Sequence, residues 1–423
     1  MSRPRPGRPA ESQCEAAGGR ASVPWLVAAA SVVAACFLAV RLFENQPGAE
    51  PVTLVTPVVG VERWQAEFAP REALSSALRV RIAPAPWSLD AETGTVEFVS
   101  LRAKDVWFVA GSLDSGGTFE ILYAEGRVSG RAALLHGVYR FEPDANARGR
   151  ATVEQVGDEA LDYVRCDAMS REDARKRAVA VVPFDKEHAD PAGDVRIAVY
   201  LTAEAAKWFK SSSNVTAERF ALTRVAELEW SLRLSGVETR MTLADVGDAA
   251  EGAGDSSKQG DSWEKDLDRL EKPGDGWFER ALRRRDATLA DVVVLLEDRK
   301  KSGGGLANVM THPGLQFRDA AFAACDVDAA TAAWAFVHEV GHVLGCGHDD
   351  KQGSYPFSRG FVAPDKWQTV MGASLELPHD TPCFSSPLHQ FRKETMGRCG
   401  RADNLSTIVA NLIYVSNFRV SCK

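Results

Sequence analysis

The chain has 423 residues, a net charge of −8 at pH 7 and a sequence pI near 5.6. This length allows two or three domains, and a content of 45% hydrophobic and 26% charged residues is that of a globular protein. The acidic balance, without a basic stripe that carries interleaved aromatic residues, argues against a nucleic-acid surface, so no nucleic-acid partner is expected.

The first forty residues have the pattern of a membrane or export segment. Residues 1–23 form a basic leader, and residues 24–40 run for 17 positions without a charge. The arginines ahead of the apolar run predict that the leader stays in the cytoplasm and that the rest of the chain crosses the membrane. The length of the run lies between that of a signal-peptide core and that of a spanning helix.

Three processing outcomes remain open for this segment. Val33-Ala34-Ala35 has the small residues of a signal-peptidase site, and Cys36 completes a lipoprotein box. Apolar residues continue past Cys36, which favours an uncleaved signal anchor in residues 24–40 over cleavage or lipidation. Each outcome places the remainder of the chain outside the cytoplasm, either anchored in the membrane or secreted.

Residues 52–156 are predicted to form a small all-β domain. Short segments of alternating apolar and polar residues are separated by clusters of Gly, Ser and Asp. The clearest strand candidates are 95–99, 106–109, 118–122 and 137–141. Because this region lacks a cluster of catalytic residue types and precedes a domain that has one, we interpret it as a prodomain. The alternative is a binding or spacer domain that the mature protein keeps.

Residues 157–177 are predicted to be a processing linker. They are rich in charge and end in Arg175-Lys176-Arg177, a basic cluster suited to cleavage on an exposed segment, although such triplets are also common on solvated surfaces. Cys166 precedes the cluster. A thiolate is a good metal ligand, so Cys166 is a candidate switch that would keep a metal site latent until the linker is cut. An ordinary disulfide or a free thiol is the alternative.

Residues 178–423 are predicted to form a mixed α/β (α+β) domain. The patterns predict strands at 195–200, 237–243, 291–296 and, after three glycines, an edge strand at 306–310; they predict helices at 216–234, 263–284, 329–344 and 403–418, and a mobile loop at 251–262. Five cysteines lie in this domain: Cys325, Cys346, Cys383, Cys399 and Cys422. In an oxidising compartment we expect several of them to form disulfides, in a connectivity that the sequence does not give.

The strongest chemical signal runs from His338 to His348, HEVGHVLGCGH. On a helix, His338 and His342 lie one turn apart on the same face, so both imidazoles can reach one metal ion. Glu339 follows the first histidine, where its carboxylate can take a proton from water at the metal. Gly345 is suited to end the helix, so that the chain turns back and brings His348 to the same ion.

This pattern predicts one catalytic Zn²⁺ ion. Three histidine ligands leave a fourth position open, which is the arrangement of a catalytic rather than a structural zinc site. A short His-Glu-x-x-His arises by chance on many helices, but the longer pattern fixes five positions. A metal site without catalysis would normally lose the glutamate, and Glu339 is present.

The segment resembles the zinc motif of the metzincin metallopeptidases, in which a methionine turn follows the ligands. Residues 369–373 contain Met371, which lies 23 positions after His348 and is the candidate turn methionine. Asp349 directly follows His348, as in the reprolysin-like branch. The surrounding sequence is also similar to bacterial peptidyl-Asp metallopeptidases, over about 194–418.

The resemblance implies a zinc-dependent metalloendopeptidase that hydrolyses protein or peptide substrates. A twisted mixed sheet would lie above the zinc helix, with a smaller subdomain below it. Met371 would pack beneath the imidazoles, Asp349 would support them from behind, and Glu339 would be the general base. The substrate would lie extended along the edge strand at 306–310.

The regulation and the specificity are less defined by the resemblance. Arg165-Cys166 resembles the cysteine switch of matrix metallopeptidases, which would make the precursor a zymogen. Residues after Met371 would line the specificity pocket, and Arg359 and Arg392 are candidates to read an acidic side chain. The rival hypothesis is a membrane-anchored, zinc-containing binding or adhesion module without proteolytic activity. The sequence does not give the oligomeric state.

Overall fold

The structure is a computed structural model that describes most residues of 51–156 and of 194–419. The longer gaps within these stretches are 58–64, 74–78, 83–91, 251–261 and 300–303. Several predictions therefore lie outside the described residues: the leader, the apolar run 24–40, the linker 157–177 with Cys166, and the loop at 251–261. In the part of the chain that is described, no helix is long and apolar enough to cross a membrane.

The N-terminal strands close into a barrel. Their bounds are β1 (Val52–Pro57), β2 (Gln65–Phe68), β3 (Arg79–Ile82), β4 (Glu92–Ala103), β5 (Val106–Leu113), β6 (Thr118–Ala124), β7 (Arg127–Leu134), β8 (Gly137–Pro143) and β9 (Arg150–Gln155). Strands β4 to β9 form an antiparallel meander in chain order. The barrel closes because β2 pairs with β9 and β1 pairs with both β2 and β3. The four strand segments predicted from sequence lie within β4, β5, β6 and β8.

Strands β5 and β6 of the barrel are apolar on both faces. Val109 and Ile121 point into the barrel core, whereas their neighbours Phe108 and Leu122 point outward and are buried against the C-terminal domain. Successive side chains of a strand alternate between its faces, so a strand with apolar side chains on both faces needs a partner on each side. The barrel therefore has one buried interior and one buried outer surface.

The C-terminal domain contains a five-stranded sheet in the order β11-β10-β12-β14-β13. Its strands are β10 (Val195–Leu201), β11 (Met241–Asp248), β12 (Val292–Glu297), β13 (Gly305–Ala307) and β14 (Phe322–Asp326). All neighbours are parallel except β13, which pairs antiparallel with β14 at one edge. Two small hairpins follow: β15 (Val362–Ala363) with β16 (Trp367–Gln368), and β17 (Gln390–Phe391) with β18 (Glu394–Thr395).

Helices cover both faces of this sheet. They are α1 (Ala203–Ser211), α2 (Ala217–Leu234), α3 (Trp263–Leu270), α4 (Glu279–Thr288), α5 (Val327–Ala332), α6 (Ala335–Val343) and α7 (Asn404–Val415), with a 3₁₀ helix at Leu315–Asp319. Val292 and Val294 of β12 pack in one core with α2 and α6, whereas Val293 and Leu295 pack with α3 and α4. The prediction of a mixed α/β domain is confirmed, and α6 lies on one face of its sheet.

The prediction of one continuous helix at 263–284 was wrong. The structure has α3 and α4 instead, separated by a turn that contains Pro273 and Gly274. Proline cannot donate a backbone hydrogen bond inside a helix, and Gly274 has φ = 88°, which a helix does not allow. These two residues outweigh the helical spacing of the apolar side chains on either side.

The strand predicted at 237–243 begins later, at Met241. Gly236 has φ = 98° and ends α2, and the Val237 N–H donates to the Leu232 carbonyl at 2.8 Å. Val237 therefore closes the C-terminus of the preceding helix and is not available to start a strand. The strand that follows extends to Asp248, five residues beyond the predicted end.

Candidate metal centre

Helix α6 starts at a strained residue. The helix predicted at 329–344 is two helices, because Trp334 has φ = 59° and separates α5 from α6. A bulky side chain in the left-handed region costs about 1–2 kcal/mol, so tertiary contacts must hold it there. The Trp334 side chain is buried, and its carbonyl accepts the first-turn hydrogen bond from the His338 N–H at 2.9 Å. The geometry of Trp334 thus fixes where the helix with the first two histidines begins.

Gly345 ends α6 as predicted. It has φ = 95°, and its N–H donates to the His342 carbonyl at 2.9 Å. A Cβ at this position would lie 2.2 Å from the Ser354 Oγ and 2.3 Å from the Asn411 Nδ2. Glycine is therefore required by both the backbone conformation and the space, and the reversal brings His348 back to the helix.

The structure brings the three predicted histidines together. The Nε2 of His348 lies 3.2 Å from the Nε2 of His338 and 3.1 Å from the Nε2 of His342. All three side chains are at least 97% buried, and each offers one ligand atom within 4.8 Å of the others. Three imidazole nitrogens that converge on one point have the donor set of a zinc site.

Backbone carbonyls orient the first two imidazoles. The Nδ1 of His338 lies 2.7 Å from the Val370 carbonyl, and the Nδ1 of His342 lies 2.8 Å from the Cys346 carbonyl. A carbonyl only accepts, so each Nδ1 carries the proton and each Nε2 keeps its lone pair. Burial lowers the pKa of His338 to about 4 and that of His342 to about 3, which keeps both rings neutral at pH 7.

This protonation pattern fits a cation. The Nε2 lone pairs of His338 and His342 both face His348, and one Nε2–H on His348 can serve only one of them. A metal ion at the common point would satisfy all three nitrogens, and ligand histidines characteristically donate their other N–H to a carbonyl. The residues present therefore fit Zn²⁺.

Glu339 lies between the ligand helix and the edge of the sheet. Its side chain is fully buried, and a Cβ built on Gly305 would lie 2.8 Å from the Glu339 Cγ and 2.9 Å from its Oε1. The backbone of β13 therefore runs directly against this carboxyl group. Sequence analysis missed the role of Gly305, although the three consecutive glycines before the edge strand were a signal of close backbone approach.

Met371 packs against α6 from below. It is fully buried, and a Cβ on Gly341 would lie only 2.7 Å from its sulfur, so the thioether fills the space beside a helix residue that stands between the two ligand histidines. The Gly372 N–H donates to the Thr369 carbonyl at 2.7 Å and closes a tight turn. Gly341 is a second position that sequence analysis did not identify.

Asp349 connects the third histidine to this turn. Its Oδ1 accepts a hydrogen bond from the Ala373 N–H at 2.9 Å. Since Asp349 directly follows His348, this bond fixes the segment that carries the third imidazole relative to the residues after Met371.

Four of the five cysteines of the C-terminal domain lie among the described residues, and Cys422 lies outside them. Cys325, Cys346 and Cys399 are free thiols, and burial raises the pKa of the first two well above the usual range. Cys383 is buried. The predicted disulfides are thus not seen among Cys325, Cys346 and Cys399, and Cys166 lies outside the described residues.

Comparisons with known proteins find one family and several relatives. A sequence model of metallo-peptidase family M12 matches residues 174–385. Two peptidyl-Asp metalloendopeptidases are similar to this chain: that of Stenotrophomonas maltophilia (strain R551-3) is 29% identical over 164 residues, and that of Xanthomonas campestris pv. campestris is 27% identical over 161 residues. Each match covers 36% of this chain, and the chain spans 38% and 37% of the length of these relatives.

Two solved structures share a distant likeness with the chain. One is described as a chaperone-substrate complex, with a TM-score of 0.42 and 15% identity over 72% of this chain and 46% of that chain. The other is metalloproteinase-II from Bacteroides fragilis, with a TM-score of 0.38 and 12% identity over 73% of this chain and 87% of that chain.

Proposed function

The chain belongs to metallo-peptidase family M12, and on that premise we propose that it is an exported, zinc-dependent metalloendopeptidase. The observation that carries the proposal is the buried convergence of His338, His342 and His348 beside Glu339. Neutral imidazoles oriented by carbonyls suit a divalent cation, and a neighbouring carboxyl suits proton transfer. The substrate is a protein or a peptide.

His338, His342 and His348 would hold the ion through their imidazole nitrogens. When bound by these imidazoles, Zn²⁺ supplies Lewis acidity that activates water near neutral pH and polarises a scissile carbonyl. The Val370 and Cys346 carbonyls keep two of the rings in the tautomer that presents Nε2. Met371 supports α6 beneath them without binding the metal.

Glu339 is the general base in this proposal. Its carboxylate accepts a proton from the attacking water and later delivers it to the leaving amine. Burial of Glu339 against the β13 backbone limits its movement, since Gly305 leaves room for the carboxyl group and for little else. The same carboxyl therefore serves both steps from one position.

The substrate binds along β13. This strand is at the edge of the sheet, and among the described strands it has a hydrogen-bonded neighbour on one side only. An extended peptide can add to such an edge through backbone hydrogen bonds. Because Gly305 of β13 lies against Glu339, a peptide paired there has its backbone beside the general base.

The preference for a side chain is a finer proposal. The relatives named above are peptidyl-Asp enzymes, and we extend to this chain a preference for an acidic residue next to the scissile bond. Arg359 is the described candidate to bind this acidic side chain, and it is half-buried. The next residue, Gly360, runs close to the methionine turn, since a Cβ built there would lie 2.2 Å from the Met371 carbonyl oxygen. Arg392, the other candidate, lies outside the described residues. Cleavage of a peptide library by the wild type and by Arg359→Gln tests this preference.

Export rests on the leader and the apolar run, residues 1–40, and on the positive charges that precede the run. A fusion of a periplasm-dependent reporter to residues 1–60 tests it, with a deletion of 24–40 as the control. An active reporter that needs residues 24–40 supports export, and equal activity of the two fusions would contradict it.

Zinc-dependent cleavage of casein by the purified full chain tests the activity. We expect cleavage that a chelator stops, that added Zn²⁺ restores, and that Glu339→Gln lacks. The competing adhesion module predicts zinc binding without cleavage by either protein. Metal content measured beside the assay separates a protein that fails to bind zinc from one that binds it without turnover.

A further inference from the structure

The barrel carries an apolar outer face that, among the described residues, the C-terminal domain covers. Phe108, Ala110 and Leu122 on this face are at most 1% exposed and share one continuous core with the zinc helix. Helix α2 is the main element that packs over strands β4, β5 and β6. Without the C-terminal domain this face would be a contiguous apolar patch in water, which soluble proteins avoid.

A buried arginine of the barrel reaches the start of the ligand helix. The Arg131 Nε lies 2.6 Å from the Glu120 Oε1, its directly opposed neighbour across β6 and β7. Its Nη1 donates to the Thr331 carbonyl at 3.2 Å, and its guanidinium lies 4.1 Å from the centre of the Trp334 ring. Glu120 thus holds the Arg131 guanidinium in place, and the guanidinium contacts Trp334, the strained residue from which α6 starts.

A second buried arginine of the barrel, Arg102, contacts the C-terminal part of α2 and the start of β11. The Arg102 Nη1 lies 2.9 Å from the Glu229 Oε2, and its Nη2 donates to the Met241 carbonyl at 2.6 Å. Both charged side chains are only 7% exposed. The Glu229 carboxylate also accepts from the Met241 N–H at 3.1 Å, so the barrel completes a network at the first residue of β11.

We propose that the barrel is a permanently docked subdomain whose partner is its own C-terminal domain. Separation would expose the apolar face and break the buried contacts of Arg102 with Glu229 and of Arg131 with the Thr331 carbonyl, and both changes oppose release. Cutting the connecting segment therefore does not detach the barrel. The barrel is then a domain that the mature protein keeps and not a prodomain that is removed. This holds whether or not the chain is a peptidase.

The test uses the full chain, in which the backbone is cut between the barrel and the C-terminal domain. A recognition sequence for a site-specific protease is inserted within residues 178–190, in a Glu339→Gln background that prevents self-cleavage. After complete cutting, we expect the two fragments to co-elute in size-exclusion chromatography, with a dissociation constant below about 1 µM. Separate elution of two soluble fragments under native conditions would overturn the proposal.

Two matched substitutions locate the anchor. Arg131→Met removes a buried guanidinium, whereas Arg79→Met removes an arginine of the same barrel whose side chain is 40% exposed and pairs with the exposed Asp114. We expect the cut Arg131→Met protein to dissociate at least about tenfold more readily than the cut Arg79→Met protein. Arg102→Met provides the same comparison if Arg131→Met does not fold. Dissociation no greater than that of Arg79→Met would exclude the tested arginine as an anchor.

Discussion

The two ends of helix α6 lie against two different buried polar clusters. At the ligand end, burial lowers the pKa of His338 and His342, and the Nε2 of His348 lies 3.2 Å and 3.1 Å from theirs. At the starting end, Arg131 and Glu120 are charged and lie 2.6 Å apart. Both clusters are almost fully buried.

The difference lies in what each cluster lacks. The arginine and the glutamate carry opposite charges and face each other across β6 and β7, so their charges balance without a metal ion. The three imidazoles bring one ligand nitrogen each to a common point, which is the donor set of a cation site. Burial of polar groups alone therefore does not identify a functional site, whereas the balance of donors and acceptors within the cluster does.

Removal of a ligand should produce the largest effect. His338→Ala should lose both zinc and activity, because two imidazoles hold the ion far less tightly than three. Metal content should fall from about one ion per chain to near zero. The control is His312→Ala, since His312 is exposed and outside the cluster. Full zinc content in folded His338→Ala would show that the histidine cluster at one end of α6 is not the metal site.

Glu339→Gln should separate metal binding from turnover. The amide is nearly the same size as the carboxyl group but cannot accept a proton at neutral pH, so kcat should fall by about 10²–10⁴. Zinc content should equal that of the wild type. An exposed glutamate on α2, Glu218, provides the control substitution Glu218→Gln. Wild-type turnover in Glu339→Gln would remove the proposed mechanism and leave the metal site intact.

Glu120→Gln addresses the starting end of α6. It removes the carboxylate that pairs with the Nε of the buried Arg131, which should cost about 3–5 kcal/mol in stability against urea. Zinc content of the folded protein should not change, because Glu120 belongs to the charged cluster. The exposed pair offers a control in Asp114→Asn, for which we expect a loss of less than about 1 kcal/mol. Equal losses in both variants would show that the buried pair has no special weight.

Met371→Leu should have the smallest effect. Leucine is similar in size and apolar, so the support beneath α6 should survive at a cost of less than about 1.5 kcal/mol. Zinc should remain bound. Complete loss of the metal in this variant would mean that the sulfur does more than fill the space beside Gly341.

The sequence was sufficient for the parts of the site that depend on local spacing. The three histidines, Glu339 and Gly345 lie within eleven residues, so the helix and the reversal at Gly345 bring them together through local geometry. The contact of Gly305 with Glu339 joins residues 34 positions apart in the chain, which no local pattern encodes. The position of Met371 was available only through the family resemblance.

The fold was predictable to a similar degree. Alternating residues predicted strands in the barrel, but its closure depends on the pairing of β2 with β9, whose register is set by distant residues. The break before α6 contains neither proline nor glycine: Trp334 adopts φ = 59° amid tertiary contacts that include the barrel arginine. Propensity rules describe the chain alone and cannot anticipate such a contact.

The meander of the barrel has a consequence for the order of folding. Strands β4 to β9 pair with their nearest neighbours in sequence, so each hairpin closes only a short loop. The five-stranded sheet, in contrast, pairs Ile197 of β10 with Val292 of β12, which lies 95 residues further along the chain. Because chains fold from the N-terminus during synthesis, we expect the barrel to be complete first and to offer its apolar face as a template on which α2 and the ligand helix assemble.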